Sequence, residues 1–286
     1  MAINQGELFG FLGPNGAGKT MTIRLLSGLI RPSGGRAFVD GLQVSQNLLQ
    51  AKARIGVVPE RSNLYNELSL QDNLVFMAKL YGLPHSQWQP RAKELLDEFE
   101  LAERADSPFA SLSRGMKRRL TIAAALVHRP SILFMDEPTA GLDVQSARNL
   151  RAAIRTLHAH GVTIFLTTHL IAEAEQLCDR VGIIVRGKLI ALDTPAALCA
   201  QCQAQKAVSL VTSSSTEMLL SMLRQSPEIT GVSRAGHTLR LSVRSMAMAV
   251  REIVSITQQL GASIKAIQTV NSTLEDAFVQ LTGLDA

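Results

Sequence analysis

The chain has 286 residues, with 29 Lys and Arg against 24 Asp and Glu and a formal net charge of +5. With 46% apolar residues and 20 glycines, it has the composition of an ordinary globular protein of one large domain or two, which excludes disordered, collagenous and disulfide-framework classes. No run reaches the roughly eighteen consecutive apolar residues of a membrane span, and MAINQGELFG is not a secretory signal, so a soluble cytosolic chain is expected. The mild basic balance selects neither nucleic acid nor anionic headgroups, because only 4% of residues are aromatic and no basic stripe with interleaved aromatics occurs. Cys199 and Cys202 spell CxxC without a second pair or a nearby histidine, and with Cys178 they read as incidental thiols.

In chain order, the first element is a strand at Glu7 to Leu12 that runs into GPNGAGKT and then into the helical pattern MTIRLLSGL. Gly13 and Gly18 bracket a phosphate loop completed by Lys19 and Thr20. Pro14, Asn15, Gly16 and Ala17 fill the loop, and Met21 follows in the helix. Glycines let the backbone N–H groups turn inward around phosphate oxygens, and the helix N-terminus adds partial positive charge. Lys19 supplies a point charge to the β- and γ-phosphates, and the Thr20 hydroxyl is a Mg²⁺ ligand. A nucleoside triphosphate site is the reading.

A mostly helical stretch over 68–129 follows, in which Lys117, Arg118 and Arg119 read at least as well as a solvated helix face as any ligand site. A buried strand at Ser131 to Pro138 then ends in two carboxylates. Open parallel sheets bind ligands at the carboxyl ends of their strands. Asp136 is therefore placed to hold Mg²⁺ and Glu137 to polarise an attacking water. A third strand, Val162 to His169, brings His169 to the same edge, whereas His158 and His160 in the preceding helix read as surface residues.

The segment Leu112-Ser113-Arg114-Gly115-Met116 resembles the LSGGQ signature of the ATP-binding cassette (ABC) ATPases. Together with GPNGAGKT, ILFMDEP, AGLD and TTH, the resemblance covers about the first 195 residues. It implies a P-loop cassette with a mixed α/β sheet and a helical subdomain, in which each ATP lies between the loop of one subunit and the signature of another. On that resemblance Ser113, Arg114, Gly115 and Met116 act in trans, Glu137 is the general base, His169 contacts the γ-phosphate and Asp143 links the two sites. The signature departs from LSGGQ at Arg114 and Met116. After the strand RIGVVP the family commonly has glutamine where this chain has Glu60, a carboxylate that can still ligate Mg²⁺ or its water but cannot donate an amide hydrogen bond. The residues after Glu60, as far as LYGLP, match the region through which the family senses its membrane partner.

After a linker at 196–206 the pattern resets. Strands at Ala207 to Thr212, Ile229 to Arg234, Thr238 to Val243 and Ser263 to Val270 alternate with helices at Thr216 to Gln225 and Met246 to Leu260, and a last helix runs from Thr273 to Leu281. This βαββαβ order is ferredoxin-like in type, with no site chemistry in it, and 207–286 reads as an accessory domain for packing, dimerisation or regulation. Its closing STLEDAFVQLTG resembles the end of ATPase subunits of the ABC-2 type exporter group.

The resemblance thus implies a motor subunit on the cytoplasmic face of the inner membrane, working as a homodimer of ATP-binding subunits with a separate ABC-2 type permease and without nucleic acid. Two alternatives stay open: a soluble ABC ATPase acting on ribosomes or DNA, and a nucleotide-binding regulator with impaired turnover. One cassette and a separation of 94 positions from Lys19 to Ser113 fit neither the tandem arrangement nor the coiled-coil insertion of the first alternative. For the second, the family places two strands and an adenine-stacking aromatic before the strand at Glu7, so the cassette is expected to be short by roughly 20 residues at its start.

Overall fold

The computed structural model describes residues 1–201, 206–212, 217–235, 238–270 and 273–283. The chain divides into two compact units, Met1–Pro195 and Ala196–Ala286.

The first unit begins with β1 (Leu8–Leu12) and α1 (Lys19–Leu26), followed by a small hairpin of β2 (Phe38–Val39) and β3 (Leu42–Gln43), then α2 (Leu48–Ala53) and β4 (Ile55–Val58). Three helices come next, α3 (Leu70–Leu80), α4 (His85–Glu98) and α5 (Arg114–Ala125). The remainder is β5 (Ile132–Asp136), α6 (Val144–Ala159), β6 (Thr163–Thr168), α7 (Ile171–Leu177), β7 (Arg180–Val185) and β8 (Lys188–Asp193). The main sheet has the order β4-β5-β6-β1-β7-β8, parallel except for the β7–β8 pair. LFGFL in β1 and TIFLTT in β6 are buried at every residue, as required of central strands packed on both faces. Phe165 on β6 anchors this core: its ring lies 5.7 Å from Phe9, 5.5 Å from Phe11 and 5.6 Å from Phe134.

Register carries the functional consequence. Leu12 pairs with Thr168 and Asp136 with Thr167, so the ends of β1, β5 and β6 lie side by side. The strands are shorter than their apolar runs. β5 stops at Asp136 because Glu137 turns into a left-handed conformation (φ 46°), and β6 stops at Thr168, so Glu137 and His169 belong to the turns beyond the sheet. The two hairpins were not foreseen, although Asp40-Gly41 and Arg186-Gly187, all four at positive φ, carry the turn chemistry of tight hairpins.

The solvated-face reading of Lys117, Arg118 and Arg119 fails at Arg118, which is buried against loop carbonyls. His158 is half-buried rather than a surface residue, with Nε2 2.9 Å from the Gly6 carbonyl and 3.1 Å from Asp179. His160 is exposed.

In the second unit α8 (Pro195–Gln201), which starts at the boundary, precedes β9 (Lys206–Thr212), α9 (Glu217–Gln225), β10 (Ile229–Ala235), β11 (Thr238–Val243), α10 (Met246–Gln259), β12 (Ile264–Val270) and α11 (Leu274–Thr282). Its sheet has the order β10-β11-β9-β12 with every neighbour antiparallel, the arrangement of a ferredoxin-like fold. Val208, Leu210, Leu239 and Leu241 pack with Leu219 and Leu223 of α9 and Ile253 of α10. Thr273 and Asp276 form a reciprocal cap at the start of α11, and Arg240 pairs with Asp276. Cys202, Thr216 and the linker positions 202–205 lie outside the described residues.

Candidate active site

The phosphate loop occupies the turn from β1 into α1. A Cβ on Gly13 would fall 2.3 Å from the Ile184 carbonyl of β7, and Gly18 enters α1 at φ 107°, so both positions require glycine. The Gly187 N–H of the β7–β8 turn donates to the Ala17 carbonyl and ties the loop to the sheet. Lys19 is buried and curls back over its own loop, with Nζ 2.7 Å from the Gly13 carbonyl and 3.2 Å from that of Pro14. Its ammonium also stands 3.1 Å from Glu137 Oε1.

On the other side of Glu137, Oε2 lies 2.7 Å from His169 Nδ1. One carboxylate is therefore held between an ammonium and an imidazole. The Glu137 N–H is fixed as well, donating to the Thr167 carbonyl and standing 3.2 Å from the Thr167 hydroxyl. These contacts stabilise a non-glycine residue at positive φ, a form of local strain that concentrates at functional sites. Asp136 lies below, accepting from Thr20 Oγ1 at 2.8 Å and from Thr167 Oγ1 at 2.6 Å.

Asn15, Gly16, Gly18, Lys19, Thr20, Met21, Glu60, Glu137 and His169 line a cavity of about 490 Å³, together with Arg24 and Ala140. Gly13, Pro14, Ala17 and Asp136 are not among the residues that line it. Ser113, Arg114, Gly115 and Met116 do not line it. They form the start of α5, where Ser113 Oγ accepts from the Met116 N–H at 3.3 Å, and Gly115 packs against Ser146 of α6. Asp143 caps α6 through the Ser146 N–H at 2.8 Å and the Ser146 hydroxyl at 2.7 Å, and these bonds hold its carboxyl below the usual carboxylate range.

Two residues of this assembly escape a sequence reading. Thr167 shows only as one of two threonines before His169, and nothing in its neighbours says that it grips Asp136. Arg118 donates from Nε to the Pro138 carbonyl at 2.8 Å, from Nη2 to that of Asp136 at 2.7 Å, and from Nη1 to those of Pro59 and Glu60. It thereby clamps the turn bearing Glu137 to the loop bearing Glu60. Burial lowers its guanidinium to about 10, opposed by the charges of Asp136, Glu173, Glu60 and Glu137, so it remains a cation at neutral pH.

Among the described residues no three His, Cys, Asp or Glu side chains cluster as a metal cage. What the cavity offers is a hydroxyl beside a carboxylate, Thr20 and Asp136, next to a backbone loop and a lysine. That donor set fits a hard cation shared with a substrate's phosphates, which supply its remaining oxygens.

Comparison with known proteins agrees with this geometry. The family described as ABC transporter matches residues 1–140. The linearmycin resistance ATP-binding protein LnrL of Bacillus subtilis (strain 168) is 37% identical over 285 residues, covering 99% of this chain and 91% of its own length. The daunorubicin resistance ATP-binding protein DrrA2 of Streptomyces coeruleorubidus is 34% identical over 294 residues, covering 99% of this chain and 88% of its own. A dimeric post-hydrolysis structure of the ATP-binding cassette MJ0796 bound to ADP and Pi superposes with a TM-score of 0.61 at 25% identity, over 68% of this chain and 88% of that one. The glycine loop, the paired carboxylates and His169 on adjacent strand ends, the family match and a near full-length likeness to ATP-binding proteins together place this chain in the ABC transporter family as an ATP-binding, ATP-hydrolysing subunit.

Proposed function

We propose that the chain powers export through a separate ABC-2 type membrane permease, hydrolysing ATP in a dimer whose sites are each built from two copies. The observation that carries the dimer is the position of Ser113, Arg114, Gly115 and Met116, which lie off the cavity that holds Lys19, Glu137 and His169. A second copy's signature then closes over the first copy's phosphates. Among the described residues no helix is long and apolar enough to cross a membrane, so transport draws its spanning segments from a partner. The resemblance to resistance ATP-binding proteins over nearly the whole chain, accessory unit included, supports the exporter assignment. In this reading residues 1–195 are the motor, 207–286 the accessory domain, and the dimer works at the cytoplasmic face of the inner membrane.

Each residue has a part in the reaction. The loop N–H groups from Gly13 to Thr20 and the Lys19 ammonium hold the β- and γ-phosphates. The Thr20 hydroxyl and the Asp136 carboxylate, with Glu60 at the cavity wall, are the oxygens that would hold Mg²⁺, whose charge draws electron density from the phosphates when bound. Glu137 accepts a proton as a water attacks the γ-phosphorus, while the bond to the β–γ bridging oxygen breaks and leaves ADP and phosphate. His169 orients Glu137 from one side and meets the γ-phosphate from the other. Asp143, at the start of α6, faces the second site across the dimer.

The decisive experiment is Glu137→Gln. Binding of Mg-ATP is retained and turnover falls by about 10²- to 10⁴-fold, the usual contribution of a positioned base. ATP then traps the dimer, which size-exclusion chromatography detects. Hydrolysis at the parental rate removes Glu137 from the role.

A further inference from the structure

We infer that Glu173 is a positioning residue for the ATPase reaction, its buried side chain joining the Thr139 and Thr168 hydroxyls through a shared internal water. Glu173 lies on α7 and is 1% exposed, yet neither carboxyl oxygen has a hydrogen-bond partner in direct reach. The buried Thr139 hydroxyl is also unpartnered. Both threonine hydroxyls lie close enough to the Glu173 carboxyl to favour its charged form by a hydrogen-bond type of contact, although neither closes a bond of ordinary geometry, and Thr168 is fully buried. The two carboxyl oxygens and the Thr139 hydroxyl are three buried polar atoms with unmet bonds, and one internal water, which typically makes about three hydrogen bonds, joins them to the Thr168 hydroxyl, itself already accepting from the Leu170 N–H.

The two threonines are where such a link has leverage. Thr139 stands two residues beyond Glu137 in the turn closed by the Ala140 N–H to the Glu137 carbonyl, and Thr168 immediately precedes His169. A rigid link between them fixes the spacing of the carboxylate and the imidazole, which meet at 2.7 Å. A carboxyl suits the link because its two oxygens can each accept from a hydroxyl or from the water between them. Burial pushes Glu173 above the usual carboxylate range, aided by the nearby Glu137 charge and opposed by the two hydroxyls and Arg151 of α6. Arg118 of α5 and the Cys178 thiol at the end of α7 are the other ionisable groups that feel its charge.

This inference rests on the roles proposed for Glu137 and His169, and its test is separate from theirs. The full chain is assayed for ATP hydrolysis as Glu173→Gln, Glu173→Leu and Thr139→Val, with thermal unfolding to verify the fold. Glu173→Gln, which keeps a donor and an acceptor, holds kcat within about threefold of the parent. Glu173→Leu and Thr139→Val each lower kcat about tenfold or more at unchanged KM for ATP, and the double variant loses no more than the worse single one. Parental kcat in Thr139→Val overturns the proposal, as does a loss in KM alone, or a Gln variant as impaired as the Leu variant. If Glu173→Leu does not fold, Thr139→Val with Glu173→Gln decides. Failure of Glu137→Gln to stop turnover instead removes the roles on which the link acts.

Discussion

Arg118 illustrates how one side chain can hold a site that it never enters. Its guanidinium donates to carbonyls at Pro59, Glu60, Asp136 and Pro138, two loops more than 70 residues apart in the chain. Replacing it with methionine keeps the packed stem and leaves those carbonyls without their donor, each at a cost of about 1–3 kcal/mol where no water replaces it. Arg118→Met is expected to destabilise the chain by about 3 kcal/mol in urea unfolding. Arg118→Lys recovers only part of this, because an ammonium lacks the planar fork that serves both loops. The helical position of Arg118 shows only which face of α5 it occupies, and whether that face meets water or carbonyls depends on residues remote in sequence.

At the scale of elements, α3 presents apolar side chains that its own unit does not cover. Phe76 and Leu80 stand one turn apart and exposed, and the Tyr65 ring meets Phe76 edge-on at 5.1 Å. This patch belongs to the segment after Glu60, and an apolar patch of this kind suits a protein contact, in the proposed reading with the membrane permease. Phe76→Asp changes a half-exposed position, where substitutions usually shift stability by about 0.5 kcal/mol or less. ATP hydrolysis by the isolated chain is expected to stay at the parental rate while co-purification of a permease is lost. Retained co-purification would move the contact elsewhere. The same segment begins at Glu60, which lines the cavity and whose carbonyl accepts from Arg118.

For the whole molecule, a site divided between copies makes a prediction that no single-chain site shares. Lys19→Ala disables the phosphate loop, and Ser113→Arg blocks the signature at an exposed cap worth about 1 kcal/mol of stability. Each variant alone is expected to be inactive. Mixed in equal amounts, they form heterodimers in which one of the two sites combines an intact loop with an intact signature. Random pairing of independent sites restores about a quarter of the parental ATPase rate. A mixture as inactive as its components would place the complete site within one chain.

Candidate site residues whose pattern is local in the chain were legible without the fold. GPNGAGKT acts through the backbone of consecutive residues, Asp136 and Glu137 adjoin at the end of an apolar strand, and His169 follows another, so residue type and spacing were enough to read them. The ferredoxin-like order of the second unit was legible for the same reason, since alternation and helical periodicity are local signals. Tertiary structure decided what depends on register and remote contact. It set β1 between β6 and β7, brought Thr167 under Asp136, buried Arg118 among carbonyls, and gathered Glu173, Thr139 and Thr168 behind the site. Those contacts join residues whose separation in the chain carries no period, and only the packing of parallel strands and their covering helices brings them within reach.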